Sequence, residues 1–441
     1  MRSPNAWRAI RLLAPLAVVS LVLAACGLTT GTTQGTPVPS ITPGGPTLPP
    51  GSGLGAHLYS PDQVRAAYGA QSLYEKGFTG KGQTVVLIES FDAPNIVSDT
   101  AHFSSYFHLP PAQITVLSPL GTNNVATCSS DTSGWAGETT EDVAIIHGIA
   151  PDAKIVILTS PVDETEGVAG LPEFRQLEQY AIDHQLGNII SQSFGASEIS
   201  LGDSAGQAEV AKWASFYQDA TTNKHMTFIA SSGDGGAADY ANADDACNQR
   251  LASKRSTSFP ADVPWVTGIG GTQLNITSTS VGESAWNDNL GGASGGGFST
   301  LFSQPDFQKT LPAGVQSQFG GKRGVPDVSS SADETRGLAM YFQGNWQPVS
   351  GTSAGAPMWS ALMAIANQMA GHPLGFINPA LYKIGTSEKA ATDFRDITQG
   401  NNGQPQVGVS GFDAVPGWDA VTGFGSPIAE KLLPDLIATI G

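Results

Sequence analysis

The sequence predicts an α/β fold: a doubly wound, mostly parallel sheet with helices on both faces. Three observations support this. Short apolar runs rich in Val and Ile recur at 84–89, 154–159, 188–193 and 227–231 and read as strands. Helical patterns lie between them at 138–147, 172–184 and 207–220. The strand runs are apolar through their length, as in a parallel sheet covered on both sides. No fixed-period repeat is present.

Composition sets the bounds. The 441 residues can form one large domain or two smaller ones. Gly 53 and Pro 29 imply many turns, and a 40% hydrophobic content is enough to build a sizeable core. Lys+Arg 21 against Asp+Glu 38 gives −17, which excludes a nucleic-acid binder, because phosphate recognition needs basic surface. Only 13% of residues are charged, which suits an exported protein. In acid much of the negative charge titrates away and self-repulsion eases.

The chain opens with Arg2, Arg8 and Arg11, followed by an apolar stretch over 12–25. This is the pattern of an export signal, too short and wrongly flanked for a membrane span. Leu23-Ala24-Ala25-Cys26-Gly27 resembles a bacterial lipobox. The expected organisation is a lipoprotein signal peptide at 1–25, a Thr/Pro/Gly-rich tether at 26–55 and one large domain at 56–441. Lipid on Cys26 would anchor the protein to the outer face of a bacterial cell membrane. The plain alternative is a chance cysteine after a cleavage site. Cys128 and Cys247 either form one disulfide or stay as free buried thiols.

Four segments carry chemistry, in chain order. The first strand ends on Glu89, which can equally be a plain strand-end glutamate. In Gly137-Glu138-Thr139-Thr140-Glu141-Asp142, the i, i+4 spacing puts Glu138 and Asp142 on one helix face. Two carboxyls so close resist joint ionisation and can share a proton. Acids also suit a first helical turn for purely structural reasons. Asp234 sits in a Gly-rich turn just past the strand at 227–231. Chemistry gathers there in open sheets, although turn aspartates are common. Ser350-Gly351-Thr352-Ser353-Ala354-Gly355-Ala356-Pro357 places a small hydroxyl at the start of an apolar helix. Gly351 permits a tight turn there, and the helix N-terminus favours negative charge on the Ser353 oxygen.

A serine nucleophile needs a base. None of the seven histidines stands in a context that marks one; His147 reads as a helix C-terminal residue. Ser191, Ser193 and Gly195 read as an edge that pairs with an extended substrate, and 294–297 as another cleft-side loop; both can equally be plain surface turns. Asp396 and Asp419 flank a Gly/Asn-rich loop. Two carboxylates with backbone carbonyls form a hard oxygen set suited to Ca²⁺, although the spacing is not that of an EF-hand.

Taken together, these motifs resemble the sedolisin family, the serine-carboxyl peptidases. The ordered set runs from Tyr59-Ser60-Pro61-Asp62 through the Glu138–Asp142 segment, Ala150-Pro151-Asp152, Ser232-Gly233-Asp234, Gly270-Gly271-Thr272 and Pro326-Asp327-Val328. It ends with the Ser353 motif and Gly417-Trp418-Asp419. The resemblance implies a subtilisin-like fold and hydrolysis of peptide or protein substrates in acid. It implies Ser353 as nucleophile, Glu138 as general base, Asp142 as its orienting partner and Asp234 as the oxyanion-hole acid. It also implies Glu89 as a supporting carboxylate and a Ca²⁺ site of Asp396, Ile397, Val415, Gly417 and Asp419, in which Ile397, Val415 and Gly417 give only carbonyls. Endopeptidase and tripeptidyl-peptidase action are both open.

Three departures stand out. The tether runs almost directly into the catalytic-type region, where sedolisins commonly carry a large propeptide. Gly355 stands where relatives often have Ser, and Val415 where they often have Gly. Two rivals remain: a subtilisin-type triad using His147, and a catalytically silent lipoprotein that binds peptides or wall polymers.

Overall fold

The apolar runs become neighbouring parallel strands at the centre of an eight-stranded sheet. The structure is a computed structural model that describes residues 57–128, 130–164, 167–241 and 250–441. In chain order the sheet strands are β1 (Thr84–Ser90), β2 (Gln113–Leu117), β3 (Lys154–Ser160), β4 (Ile189–Gln192), β5 (Thr227–Ser231), β6 (Thr267–Ile276), β7 (Val281–Ala285) and β8 (Val328–Ser331). Their spatial order is β7-β6-β5-β4-β1-β3-β2, with β8 also paired to β6. All pairs are parallel except β7, which returns antiparallel along β6.

Alternation along each strand divides two cores. Val85, Leu87, Ile155, Ile157, Ile189 and Ile229 point to one face. They pack against α2 (Asp131–Ile149) and α5 (Gly355–Ala370); α1 (Ile96–Tyr106) packs outside α2 and α6 (Ala429–Ile440) outside α5. Val86, Ile88, Val156, Leu158, Ile190 and Phe228 point to the other face and meet α3 (Leu171–Asp183) and α4 (Ser204–Lys224). The expected doubly wound α/β architecture is therefore present.

Several boundaries differ from the sequence reading, each for a local reason. The α2 helix starts at Asp131. The Asp131 carboxyl accepts the Cys128 N–H, which lets the helix begin well before Gly137. Likewise α4 starts at Ser204, because Asp203 Oδ1 caps the Gly206 N–H at 2.7 Å. Strand β6 (TGIGGTQLNI) was hidden by its glycines. A Cβ at Gly271 would lie 2.7 Å from Ala332 Cβ and 3.3 Å from Thr352 Cγ2, so the absence of a side chain is what lets the Ser353 loop approach.

A hairpin not anticipated from the sequence, β9 (Arg336–Phe342) and β10 (Asn345–Pro348), leads directly into the Ser353 loop. Residues 1–25, the tether and Cys26 lie outside the described residues, as does Cys247. Cys128 is disulfide-bonded. Among the described residues, no helix is long and apolar enough to cross a membrane.

Candidate active site

The carboxyl ends of three adjacent strands converge on one spot. Glu89 is the penultimate residue of β1, Ser193 follows β4, and Asp234 lies three residues past β5. The register fixes this convergence, since Leu87 pairs with Ser191 and Gln192 with Ala230. Helix α2 brings Glu138 and Asp142 from the side, and the short 3-10 turn Thr352–Ala354 before α5 supplies Ser353.

Four consecutive backbone amides hold the Ser353 loop. Val349 N–H donates to Leu338 O at 2.9 Å, and Ser350 N–H to Glu141 Oε1 at 3.0 Å. Gly351 N–H donates to Ala332 O at 2.8 Å, and Thr352 N–H to Asp234 Oδ1 at 2.7 Å. Gly351 adopts φ 75°, a left-handed region that glycine occupies without cost. A Cβ there would sit 2.5 Å from Asp234 Oδ2. Glycine therefore serves twice, for the turn and for the approach of the acid. Thr352 Oγ1 donates to the same Asp234 Oδ1 at 2.8 Å and accepts the Gly233 N–H at 3.0 Å. With Oδ1 holding two donors, Oδ2 is the oxygen left to carry a proton.

The Ser353 side chain faces the Glu138 carboxyl and favours its charged form. Glu138 is half-buried and is pushed up to about 8, first by burial; the Ser353 bond opposes the rise and the charge of Asp234 adds to it. Asp142 is fully buried and rises well above the usual carboxylate range, through burial and then the charge of Glu138. Ser193 Oγ–H lies 3.0 Å from each Asp142 oxygen and 3.2 Å from Ser353 O, so it ties the acid to the backbone of Ser353. Glu89, also fully buried, hydrogen-bonds Asp142 and is raised by burial and by the charges of Asp142 and Glu138. Asp234 is raised by burial, against the two Thr352 bonds. These groups cannot all ionise together; in acid the cluster keeps most of its protons.

The structure thus brings together Ser353, Glu138, Asp142, Asp234 and Glu89. It adds Glu141, which the sequence reading did not single out, although its i, i+3 offset from Glu138 was a usable signal. The substrate-edge expectation needs correction at two residues. Ser191 is fully buried in β4, paired with β1 on one side and β5 on the other, so it offers no open edge. The Ser193 hydroxyl is committed to Asp142. Gly195 is half-buried, and a Cβ on it would lie 2.9 Å from Phe259 O.

His147 is nine positions beyond Glu138 on α2, about 13 Å along the axis. Its Nε2 is 2.9 Å from Ser104 Oγ of α1, and burial pushes it down to about 4. It is part of the α1–α2 packing. Gly355 also finds its reason: a Cβ there would lie 2.6 Å from Ile269 Cγ2 of β6.

On the C-terminal loop, Asp396 Oδ2 accepts the Gly417 N–H at 2.9 Å and Asp419 Oδ2 the Val415 N–H at 3.0 Å. Both carboxylates therefore converge on one turn, in which Gly417 takes φ 81°. Ile397 is buried beside it and Val415 is exposed. Burial pushes Asp419 up to about 7, against the hydrogen bonds it accepts from Thr422, Val415 and Val421. Two carboxylates with backbone carbonyls are a donor set that fits a hard cation. Among the described residues no cluster of three or more His, Cys, Asp or Glu forms a metal site, so such an ion would depend on the carbonyls.

A serine set among carboxyls at the carboxyl end of a doubly wound sheet defines a class, and comparison with known proteins agrees with it. Residues 129–381 match the subtilase family, and the chain belongs to that family. Within it, the chain is 33% identical to kumamolisin of Bacillus sp. (strain MN-32) over 386 residues, 86% of this chain and 64% of that protein. It is 31% identical to sedolisin of Pseudomonas sp. (strain 101) over 314 residues, 69% of this chain and 49% of that protein. The chain thus spans half to two thirds of these relatives. The solved structure of Pseudomonas sedolisin, a serine-carboxyl proteinase complexed with two molecules of pseudo-iodotyrostatin, superposes with a TM-score of 0.70. It is 26% identical, covering 86% of this chain and 98% of that one. The resemblance to the sedolisins and the subtilisin-like fold are both borne out.

Proposed function

We propose that this chain is an acid-active serine-carboxyl peptidase that cleaves peptide bonds through an acyl-enzyme on Ser353. One observation carries the reading: the ionisable group that the Ser353 side chain favours in its charged form is a carboxyl, Glu138, while His147 lies about 13 Å further along the helix. Glu138 takes the hydroxyl proton as Ser353 attacks the peptide carbonyl. Asp234, protonated on Oδ2, donates a hydrogen bond to the developing oxyanion, a contribution worth about 3 kcal/mol. Glu138 then returns its proton to the leaving amine, and water, deprotonated by the same carboxylate, releases the acyl group. Asp142, held by Ser193 and Glu89, keeps Glu138 in place.

The pH dependence follows from which group must hold a proton. Asp234 has to keep its own, and burial helps it do so above the usual carboxylate range. Activity therefore falls as pH rises and that proton leaves. Glu138 has to give its proton up. The negative charge of Asp234 is one cause of its rise, so a proton on Asp234 eases ionisation of Glu138. Burial keeps Glu138 mostly protonated in acid, so the reacting form, with Glu138 ionised and Asp234 protonated, is a minority there, and activity falls again as lower pH shrinks that fraction.

A Ca²⁺ held by Asp396, Asp419 and the carbonyls of Ile397, Val415 and Gly417 would brace the C-terminal loop. Export and lipid anchoring through Cys26 complete the proposal, and Gly195 remains the candidate backbone for substrate. Peptide hydrolysis at pH 4 by the wild-type chain, and its loss in Ser353→Ala with the fold intact, tests the reading. Equal turnover by the two proteins refutes it.

A further inference from the structure

We propose, building on the peptidase reading, that Glu141 is a positioning residue whose carboxyl holds the nucleophile loop by accepting the Ser350 N–H. Glu138, Glu141 and Asp142 form an i, i+3, i+4 stripe on α2, so one helix presents all three to the same loop. Glu138 meets Ser353, Asp142 meets Ser193, and Glu141 Oε1 meets Ser350 N–H at 3.0 Å. The last contact falls three residues before the nucleophile. Of the four amides that hold the loop, two donate to backbone carbonyls and two to carboxyl oxygens, those of Glu141 and Asp234. Asp234 has its own chemical task. Glu141 is buried and touches no reacting atom, so its carboxyl is explained by the loop it holds.

A charged acceptor is not needed for this. Burial, and then the charges of Glu138 and Asp142, keep Glu141 well above the usual carboxylate range, so in acid it is neutral. A neutral carbonyl oxygen accepts one N–H satisfactorily, whereas an ion here would add a charge beside Glu138, Asp142 and Asp234. The guanidinium of Arg65 cannot offset such a charge, since it donates to Gly148 O, about 10 Å further along α2. The neighbouring α5 carries no titratable side chain at all. The function assigned to Glu141 is therefore acceptance alone, and glutamine should perform it.

The experiment compares Glu141→Gln and Glu141→Leu with the wild-type chain at pH 4, by steady-state peptide hydrolysis and by amide hydrogen exchange of the peptide containing Ser350. Glu141→Gln should keep kcat within roughly threefold and exchange as wild type does. Glu141→Leu should lower kcat roughly tenfold or more with KM little changed, because a displaced nucleophile slows chemistry more than binding. Its Ser350 segment should exchange at least tenfold faster. If Glu141→Leu does not fold, Glu141→Asp takes its place, since the shorter arm cannot reach Ser350. Wild-type kcat and exchange in the Leu or Asp variant overturn the proposal. So does a Gln variant as impaired as the Leu variant, which would assign Glu141 a proton to carry. A wild-type chain inert in acid defeats the peptidase reading alone, and the exchange measurement still decides Glu141.

Discussion

Replacing Gly351 with alanine tests how closely Asp234 has to approach the nucleophile loop. The new Cβ would stand 2.5 Å from Asp234 Oδ2, where comfortable contact needs about 3.5 Å. The acid must therefore withdraw by about 1 Å. Alanine at φ 75° adds a backbone cost of ~1–2 kcal/mol. Weakening the two Thr352 bonds to Oδ1 adds about 1 kcal/mol each, so the fold should lose roughly 3–4 kcal/mol. Catalysis should lose more than that figure suggests, because a donor displaced by about 1 Å from the oxyanion costs kcat about a hundredfold. Gly344 provides the control: it has φ 88° at the β9–β10 turn, with nothing within 4 Å of its would-be Cβ. Gly344→Ala pays the backbone term and spares the acid, so its kcat should match wild type. Thermal melts and peptide hydrolysis at pH 4 on the three proteins separate the terms. A folded Gly351→Ala with the kcat of Gly344→Ala would refute the assignment of Asp234 to the oxyanion.

Three more outcomes follow from the same geometry. Glu89, Glu138, Glu141 and Asp142 all have raised values, so the folded state binds their protons more tightly than the unfolded chain does. That stability is complete in acid and is lost as pH rises; for Glu138 the window runs from 4.5 to about 8. Calorimetry should give a higher Tm at pH 4 than at pH 7, and the reverse order would contradict the burial of the cluster. Gly355→Ser should destabilise by about 1–3 kcal/mol, because its Cβ meets Ile269 at 2.6 Å; an unchanged denaturation midpoint would show that β6 yields freely. A calcium chelator should lower the Tm, and Asp419→Asn should remove that sensitivity; a melt indifferent to chelation counts against the ion.

The parts of the fold that could be read in the sequence were those built from apolar runs. Strands β1, β3, β4 and β5 pair on both sides in mid-sheet, and burial there leaves only Val, Ile and similar side chains. Strand β6 is equally central, yet Gly270 and Gly271 are dictated by neighbours that crowd them, Pro326, Ala332 and Trp286, and periodicity cannot register such crowding. Ser353, Glu138, Asp142 and Asp234 were recognisable because each sits at a helix start, a helical spacing or a turn. The task of Ser193 was not, because it depends on β4 ending opposite Asp142, a tertiary fact. Glu141 escaped for the opposite reason. Its spacing was plain, but acids in a helix have many uses, and only the Ser350 amide identifies this one.

The two layers of side chains under the sheet have separate fates. Helices α2 and α5, which carry or adjoin every ionisable group near Ser353, press on Leu87 and its companions. The opposite layer, where Phe174, Trp213 and Tyr217 meet Val86 and Ile190, reaches the site's surroundings at two points: Phe174 packs edge-on against Trp135 of α2, and Tyr217 hydrogen-bonds Gln192 beside Ser193. Engineers wishing to harden this protein against heat therefore have a workbench on α3 and α4, provided that Phe174 and Tyr217, which touch α2 and the residue before Ser193, stay as they are.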